Sequence, residues 1–177
     1  EFAEALEHSI LTKPVLLGPV SYLLLGQCDG KPFDRLDLLD RLVPVYAEIL
    51  QKLRAEGAEW VQLDEPTLVL DLDRRQQQAF SSCYERLRQG APDLKLLLGT
   101  YFGPLRENLP LALSLPVDAV HIDAVSSPIE PLTAIDHIDD KKLLSIGVVD
   151  GRNIWKNDLQ QSLDLLDELA VQIGRDR

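Results

Sequence analysis

Polar side chains that could transfer protons or bind charged groups follow short apolar runs in this sequence. The sharpest case is Trp60–Pro66, in which an apolar run ends in Asp64, Glu65 and a proline. Carboxylates at such a position can act as general acids or bases, or can bind cations. The same residues also form an ordinary strand-exit turn, in which an aspartate caps the backbone. One copy of the pattern therefore leaves both interpretations open.

Similar polar ends follow three later apolar runs. Because the carboxyl ends of parallel strands meet at the edge where α/β proteins bind ligands, several polar ends in succession favour the rim of a site over separate turns. The rim candidates for acid–base chemistry are Asp64, Glu65, His121 and Asp123, and the candidates for substrate binding are Tyr101, Asp150, Arg152 and Asn153.

Hydrophobic periodicity places these ends on an alternating series of strands and helices. The predicted strands are 15–18, 60–64, 94–98, 117–122 and 143–149. The predicted helices are 1–10, 34–57 (with Pro44 either kinking it or lying in the first turn of a longer helix), 73–90, 104–115 and 158–174. Segment 126–140 is predicted to be a loop. The last helix has one apolar stripe of Leu159, Leu163, Leu166, Ala170 and Ile173, with Asn157 or Asp158 as its cap and Gly174 at its end.

Strands that alternate with helices fit either a (β/α)8 barrel or a doubly wound sheet. No strand is followed by a glycine-rich phosphate loop, which weakens the nucleotide-binding doubly wound alternative. A full barrel needs about 250 residues, more than the 177 residues of this chain. The predicted fold class is therefore α/β, of the (β/α)8 TIM-barrel type but incomplete, with about five strand–helix units.

Composition narrows the classes of partner. The chain is 45% hydrophobic, long enough for one core, and has a net charge of -11, which argues against nucleic acid and anionic membranes as partners. No segment is typical of a signal peptide or a membrane span. Two isolated cysteines, Cys28 and Cys83, form no disulfide framework and predict a reducing cytoplasm. Because methionine is absent even at position 1, we expect the chain to begin inside a longer protein.

Five ordered blocks resemble the N-terminal domain of the cobalamin-independent methionine synthase family. They are 13–19, 60–66, 100–102, 115–123 and 147–155. The resemblance implies two face-to-face (β/α)8 barrels that transfer the methyl group of 5-methyltetrahydropteroyl-oligoglutamate to homocysteine. Residues 1–177 would then form strands three to seven of the N-terminal barrel, which packs against a catalytic C-terminal barrel that this chain lacks.

The resemblance also implies that this segment holds no catalytic residue and no metal. In that family the zinc ligands, the homocysteine pocket and the proton donor belong to the C-terminal barrel, and cobalamin is not used. The local sequence agrees, since His121 and Asp123 are two ligands at most and a catalytic zinc needs three. Local cations that could offset the acidity of the chain toward an oligoglutamate are Arg152, Lys156, Lys141 and Lys142. The alternative for Arg152 is a salt bridge to Asp150 or to a neighbouring helix.

Two other functions remain open from the sequence. The chain could be an independent, decarboxylase-like barrel enzyme that uses Asp64, His121 and Asp123 for acid–base chemistry. It could also be a purely structural domain that binds no ligand.

Overall fold

Five parallel strands lie side by side in the order in which they occur in the chain. The structure is a computed structural model and describes residues 1–173. The strands are β1 (Val15–Leu17), β2 (Trp60–Asp64), β3 (Lys95–Gly99), β4 (Ala119–Asp123) and β5 (Leu143–Gly147). The helices are α1 (Phe2–Glu7), α2 (Pro19–Leu25), α3 (Leu39–Ala55), α4 (Arg74–Gly90), α5 (Leu109–Ser114), α6 (Glu130–Ile135) and α7 (Leu159–Ile173). Three 3-10 turns are Arg35–Leu38, Pro66–Val69 and Arg106–Asn108.

The strand order separates the two folds that the sequence allowed. A doubly wound sheet reverses its strand order at one point, and ligands bind at that switch point. Here β1 to β5 follow one another without reversal, so within the described residues the sheet is singly wound, as in a barrel. Helices α2, α3 and α4 pack on one side, which we call the covered face. Its buried strand residues are Val61, Leu63, Leu96, Leu98, Val120 and Ile122. The opposite side is called the open face.

Local signals set the bounds of the two longest helices. Helix α4 begins with a complete capping box, in which Asp73 accepts from the Gln76 backbone and the Gln76 side chain accepts from Asp73. Helix α3 ends just before Gly57, whose φ of +97° is the left-handed conformation that glycine adopts after a helix. Both helices were predicted from periodicity, and both are confirmed.

Proline 44 lies inside α3 and not in its first turn. A 3-10 turn capped by Asp34 precedes the helix, so the predicted short element is present. Because proline has no N–H, the carbonyl of Asp40 one turn earlier lacks its helical donor. Arg86 of α4 supplies one instead, since its Nη2 lies 3.4 Å from that carbonyl oxygen and its Nη1 lies 2.6 Å from Asp40 Oδ1.

Two predictions about the later part of the chain were wrong. Segment 126–140 is not wholly a loop, because α6 lies within it. A helix of six residues is too short to show an apolar period in the sequence. What distinguishes α6 is a tertiary contact: the buried Glu130 carboxylate accepts hydrogen bonds from the backbone N–H of Leu105 and of Arg106 at 3.0 and 2.9 Å.

The apolar stripe predicted on α7 does not face the core. Leu159, Leu163 and Leu166 are exposed, and Leu169 is the leucine that α7 buries. The helix carries leucines on two adjacent sides, so its sequence does not specify which side packs. Asp158 is confirmed as the cap, with Oδ1 accepting from Gln161 N at 3.1 Å. Gly174 lies outside the described residues. Within residues 1–173, no helix combines the length and apolarity that a membrane span requires.

We predict that the isolated chain associates through its sheet edges. In the described part of the chain, strand β1 pairs on one side only, and its Val15 side chain is 53% exposed. An unpaired apolar edge recruits other strands, and a charged side chain on it opposes pairing. Sedimentation velocity should show larger species as the concentration of the chain rises, and fewer of them for Val15→Lys.

Val171→Lys is the matched control, because Val171 is equally apolar and is 86% exposed, but lies on α7. It should leave association unchanged. A chain that stays monomeric and melts cooperatively over the same concentrations would contradict the prediction.

Candidate functional site

Polar side chains from successive strands share the open face because of their register. Asp64 of β2 pairs with Gly99 of β3, which pairs with His121 of β4, which pairs with Ser145 of β5. Alternation along a strand sends paired residues to the same side. The glycines leave room for their neighbours. A Cβ at Gly99 would lie 2.3 Å from Asp64 Oδ1, and one at Gly147 would lie 2.9 Å from His121 Nε2.

A line of contacts connects Asp64 with the loops after β3 and β5. Tyr101 OH donates to Asp64 Oδ2 at 3.1 Å. The ring of Phe102 meets that of Tyr101 edge to face, with centroids 4.5 Å apart, and the Arg152 guanidinium lies 5.0 Å from the centroid of Phe102. We call Asp64, Tyr101, Phe102 and Arg152 the rim chain. It brings together three of the predicted site residues and adds one, Phe102.

The other carboxylate oxygen of Asp64, Oδ1, also accepts a hydrogen bond. Gln62 Nε2 donates to Asp64 Oδ1 at 2.7 Å, and Lys13 Nζ donates to Gln62 Oε1 at 2.6 Å. Burial, together with the charge of Asp64, raises the pKa of Tyr101 to about 12. Tyr101 therefore stays protonated at neutral pH and acts as a hydrogen-bond donor to Asp64. Asp64 is positioned by its neighbours and is not a free base.

His121 and Asp123 point to the same side, as predicted, but have different partners. His121 Nδ1 lies 2.9 Å from Ser145 Oγ. Burial lowers the pKa of His121, with Lys13 acting in the same direction and the charges of Asp123 and Asp64 opposing it. The Asp123 carboxylate caps its own turn, accepting from Val125 N and Ser126 N at 3.1 and 3.0 Å and from Ser126 Oγ at 2.6 Å. No hydrogen bond joins His121 to Asp123 among the described residues.

Asp150 and Asn153 shape the loop after β5. Asp150 Oδ1 accepts from Arg152 N at 3.1 Å, and Oδ2 accepts from the Asn153 side chain. The Asn153 bond is the main reason that the pKa of Asp150 is lowered, and the positive charge of Arg152 contributes. Both residues are near the rim, but their polar atoms bind each other and the loop backbone.

Glu65 is on the covered face, which corrects its predicted place at the rim. Consecutive strand residues point to opposite faces, so Asp64 and Glu65 separate. Glu65 is fully buried. Its carboxylate accepts from Val20 N and Ser21 N at the start of α2, at 3.3 and 2.7 Å, and from Tyr84 OH at 3.1 Å. Burial raises the pKa of Glu65 to about 7, although the bonds from Ser21, Val20 and Tyr84 oppose this shift.

Two of the four predicted cations lie at the opposite edge of the sheet. Lys141 and Lys142 precede β5, whereas Arg152 and Lys156 follow it. Lys142 is buried, and its Nζ donates to the carbonyls of Leu113 and Leu115. Lys141 and Lys142 therefore do not belong to the rim.

Three residues at the rim, Gln62, Phe102 and Ser145, were not predicted from the sequence. Alternation along β2 places Gln62 on the same side as Asp64, so Gln62 could have been predicted. Ser145 could have been predicted from alternation along β4 together with the pairing of His121 and Ser145. No pattern in the sequence predicts where the Phe102 side chain lies, because its position depends on a φ of +75°.

A zinc ion does not fit the described residues. No group of three or more His, Cys, Asp or Glu side chains within residues 1–173 is placed to hold a metal. Cys28 is exposed in a loop and Cys83 is buried in α4, away from the open face. The two cysteines and His121 therefore do not form a common ligand set.

Comparison with known proteins identifies the family. A family model described as the N-terminal domain of the cobalamin-independent synthase matches residues 1–174. The chain belongs to this family. The 5-methyltetrahydropteroyltriglutamate--homocysteine methyltransferase of Xylella fastidiosa (strain 9a5c) is 53% identical over 177 residues, covering 99% of this chain and 23% of the relative. The enzyme of the same name from Coxiella burnetii (strain CbuG_Q212) is 50% identical, covering 96% of this chain and 22% of the relative. The chain thus spans less than a quarter of these relatives.

A solved structure supports the fold assigned to this synthase domain. A B12-independent methionine synthase from Shewanella sp. W3-18-1, in complex with selenomethionine, superposes with a TM-score of 0.80 over 99% of this chain and 57% of that one, at 18% identity. The shared fold and the open five-stranded sheet confirm the predicted incomplete (β/α)8 barrel. At 18% identity, this similarity supports the fold and nothing further.

We predict that Glu65 makes the stability of the synthase domain depend on pH. Its pKa of about 7 lies above the ordinary 4.5, so between these values the folded state binds more protons than the unfolded state. The free energy of unfolding therefore falls as pH rises through this window, by up to about 3 kcal/mol. Glu65→Gln should remove this fall in urea unfolding measured across the window.

Glu48→Gln is the control, because Glu48 is exposed and pairs with Lys52 at 2.7 Å on the surface. It should leave the fall in place. A Glu65→Gln protein that still loses the same stability between these pH values would contradict the assignment.

We also predict that Gly18 matters more for folding than Asp64. A Cβ at Gly18 would lie 2.2 Å from Glu65 Cδ, and Glu65 is held by three donors, so Gly18→Ala should cost about 1–3 kcal/mol. Asp64→Asn keeps an acceptor for Gln62 and should cost less than about 1 kcal/mol. Gly151→Ala is the control, since a Cβ there would meet nothing. A loss in melting temperature for Asp64→Asn as large as that for Gly18→Ala would refute this ranking, and so would equal losses for Gly18→Ala and Gly151→Ala.

Proposed function

We propose that the chain is part of an enzyme that transfers the methyl group of 5-methyltetrahydropteroyltriglutamate to homocysteine, forming methionine. The observation that carries this proposal is 53% identity to a relative of that name over 99% of the chain. Because the chain spans 23% of that relative, the activity belongs to the whole enzyme. Residues 1–177 form part of its N-terminal (β/α)8 barrel, and a catalytic C-terminal barrel packs against it.

This segment acts as a scaffold and helps to enclose the substrate. Its buried polar groups are used to hold the fold together, since Glu65 and Glu130 bind backbone N–H groups and Lys142 binds carbonyls. The carboxylates of Asp123 and Asp150 accept hydrogen bonds from backbone N–H groups of their own turns. Such an arrangement offers no free acid–base pair, but it leaves aromatic and cationic side chains exposed at the rim.

The cofactor and partners follow from the same proposal. Zinc, not cobalamin, would serve the whole enzyme from ligands in the catalytic barrel, where it would hold homocysteine as a thiolate. The partners are the folate substrate, homocysteine and the second barrel, with no nucleic acid and no membrane. A cytoplasmic location remains a prediction from cysteine usage.

No contact within residues 1–173 favours an independent acid–base enzyme. Asp64 is bonded to Gln62 and Tyr101, and His121 Nδ1 is bonded to Ser145. The decarboxylase-like alternative would use Asp64, His121 and Asp123 together, and among the described residues no hydrogen bond joins His121 to either aspartate.

A chimaera tests the proposal. Residues 1–177 would replace the aligned segment of the Xylella fastidiosa enzyme, and methionine formation from homocysteine and 5-methyltetrahydropteroyltriglutamate would be measured. Because 53% of the aligned residues are identical, we expect kcat and KM within about tenfold of the parent enzyme. The parent with its own segment is the positive control. A chimaera that folds like the parent but forms no methionine would count against the proposed function.

A further inference from the structure

Arg152 is a stacked cation whose hydrogen-bond donors are unused. Its guanidinium lies over the ring of Phe102 at 5.0 Å. Within residues 1–173 the side chain makes no hydrogen bond and no ion pair with an acid. Asp150, its nearest acidic neighbour in the sequence, binds the backbone of Arg152 and the side chain of Asn153 instead. Five N–H donors of the guanidinium therefore remain available.

The ring beneath Arg152 is held in an unusual position. Phe102 has a φ of +75°, which a bulky residue adopts at a cost of order 1–3 kcal/mol, and such outliers cluster at binding sites. The ring is 60% exposed. The Tyr101 and Phe102 rings pack edge to face with their centroids 4.5 Å apart, and Tyr101 OH donates to Asp64 Oδ2 at 3.1 Å. The backbone strain thus supports an aromatic surface at the rim that the protein does not bury.

A guanidinium stacked on a ring presents its N–H groups sideways, in a planar fork. This fork matches a carboxylate, which it can bind through two parallel hydrogen bonds. The chain as a whole has a net charge of -11 and repels anions, so an anionic group can bind only where a cation acts at short range. Lys156 carries an equal charge four residues further along the same loop.

We propose that Arg152, stacked on Phe102, binds a carboxylate of the glutamyl tail of the folate substrate. This inference rests on the proposed function, because the name of the relatives specifies a triglutamate. Arg152 is a substrate-binding residue in this assignment, and Phe102 is a positioning residue that orients it. The tail is bound away from the reacting atoms, so the interaction affects substrate binding and not the chemical step.

The alternative use of this loop is packing. Ile154 and Trp155 follow Arg152 and are 94% and 78% exposed, so the loop also offers apolar surface to another part of the enzyme. A packing role would make Arg152 contribute to stability whatever the substrate. A carboxylate-binding role would make its contribution depend on the charge of the tail.

The test uses the full-length chimaera with Arg152→Ala and Phe102→Leu. Two substrates are compared: the triglutamate, and an analogue of the same length with carboxamides in place of the tail carboxylates. We expect Arg152→Ala to raise KM for the triglutamate about tenfold, with kcat and the KM for the amide analogue unchanged. Phe102→Leu should change the same KM in the same direction by a smaller factor. Lys156→Ala, which removes an equal charge from the same loop, should change it by less than about threefold.

Each outcome decides between the claims. A wild-type chimaera that forms no methionine counts against the proposed function, and equilibrium binding of the two compounds then still tests Arg152. An active chimaera in which Arg152→Ala leaves KM and affinity for the triglutamate unchanged overturns the inference alone. An equal rise in KM for both compounds, or a lowered melting temperature, would mean that Arg152 serves packing. An equal effect of Lys156→Ala would mean diffuse attraction instead of a specific site.

Discussion

The buried carboxylate of Glu65 is the interaction on which the architecture around the site depends. A carboxyl group in the core is tolerated only when hydrogen-bond partners surround it, and here the first turn of α2 and the hydroxyl of Tyr84 supply them. The chain turn before α2 can approach so closely because Gly18 has no side chain, and the Glu65 carboxylate fills that space. One group thus fixes the ends of β1 and β2 against α4. The negative charge of Glu65 also adds to burial in raising the pKa of Tyr84 and of Cys83, so the thiol stays protonated and unreactive.

The position of Glu65 determines what its neighbour can do. Because strand residues alternate, anchoring Glu65 in the core directs Asp64 to the open face. Asp64 is then held by Gln62 and by Tyr101, which extends the fixed geometry from the core to the loops at the rim. The rim chain is rigid at its Asp64 end and exposed at its Arg152 end. This gradient suits a binding role, since the receptor is held in place while its donors stay available to a ligand.

The sequence predicted the elements that depend on local patterns and missed those that depend on tertiary context. Strands and long helices follow from periodicity, and the capping box at Asp73 is a local signal, so these were placed within a few residues. Helix α6 escaped because it is short and its main partner, the backbone near Leu105, is distant in sequence. For the site, four polar strand ends were enough to locate the rim. They were not enough to separate Asp64 from Glu65, which required knowing which face the helices cover.

Net charge and local charge lead to opposite conclusions about an anionic substrate, and distance decides between them. The acidic groups that give the chain its net charge of -11 are spread over the surface, and beyond about 8 Å salt largely screens them at physiological ionic strength. A carboxylate in contact with a guanidinium gains from both Coulomb attraction and two hydrogen bonds, which act within that distance. Asp150, the acid nearest to Arg152 in the sequence, has its oxygens engaged by N–H donors, and this spreads part of its negative charge onto the loop. An acidic domain can therefore bind a polyanionic tail, provided that the donors of its few cations at the rim are not taken up by acids, and among the described residues no acid accepts a hydrogen bond from the Arg152 side chain.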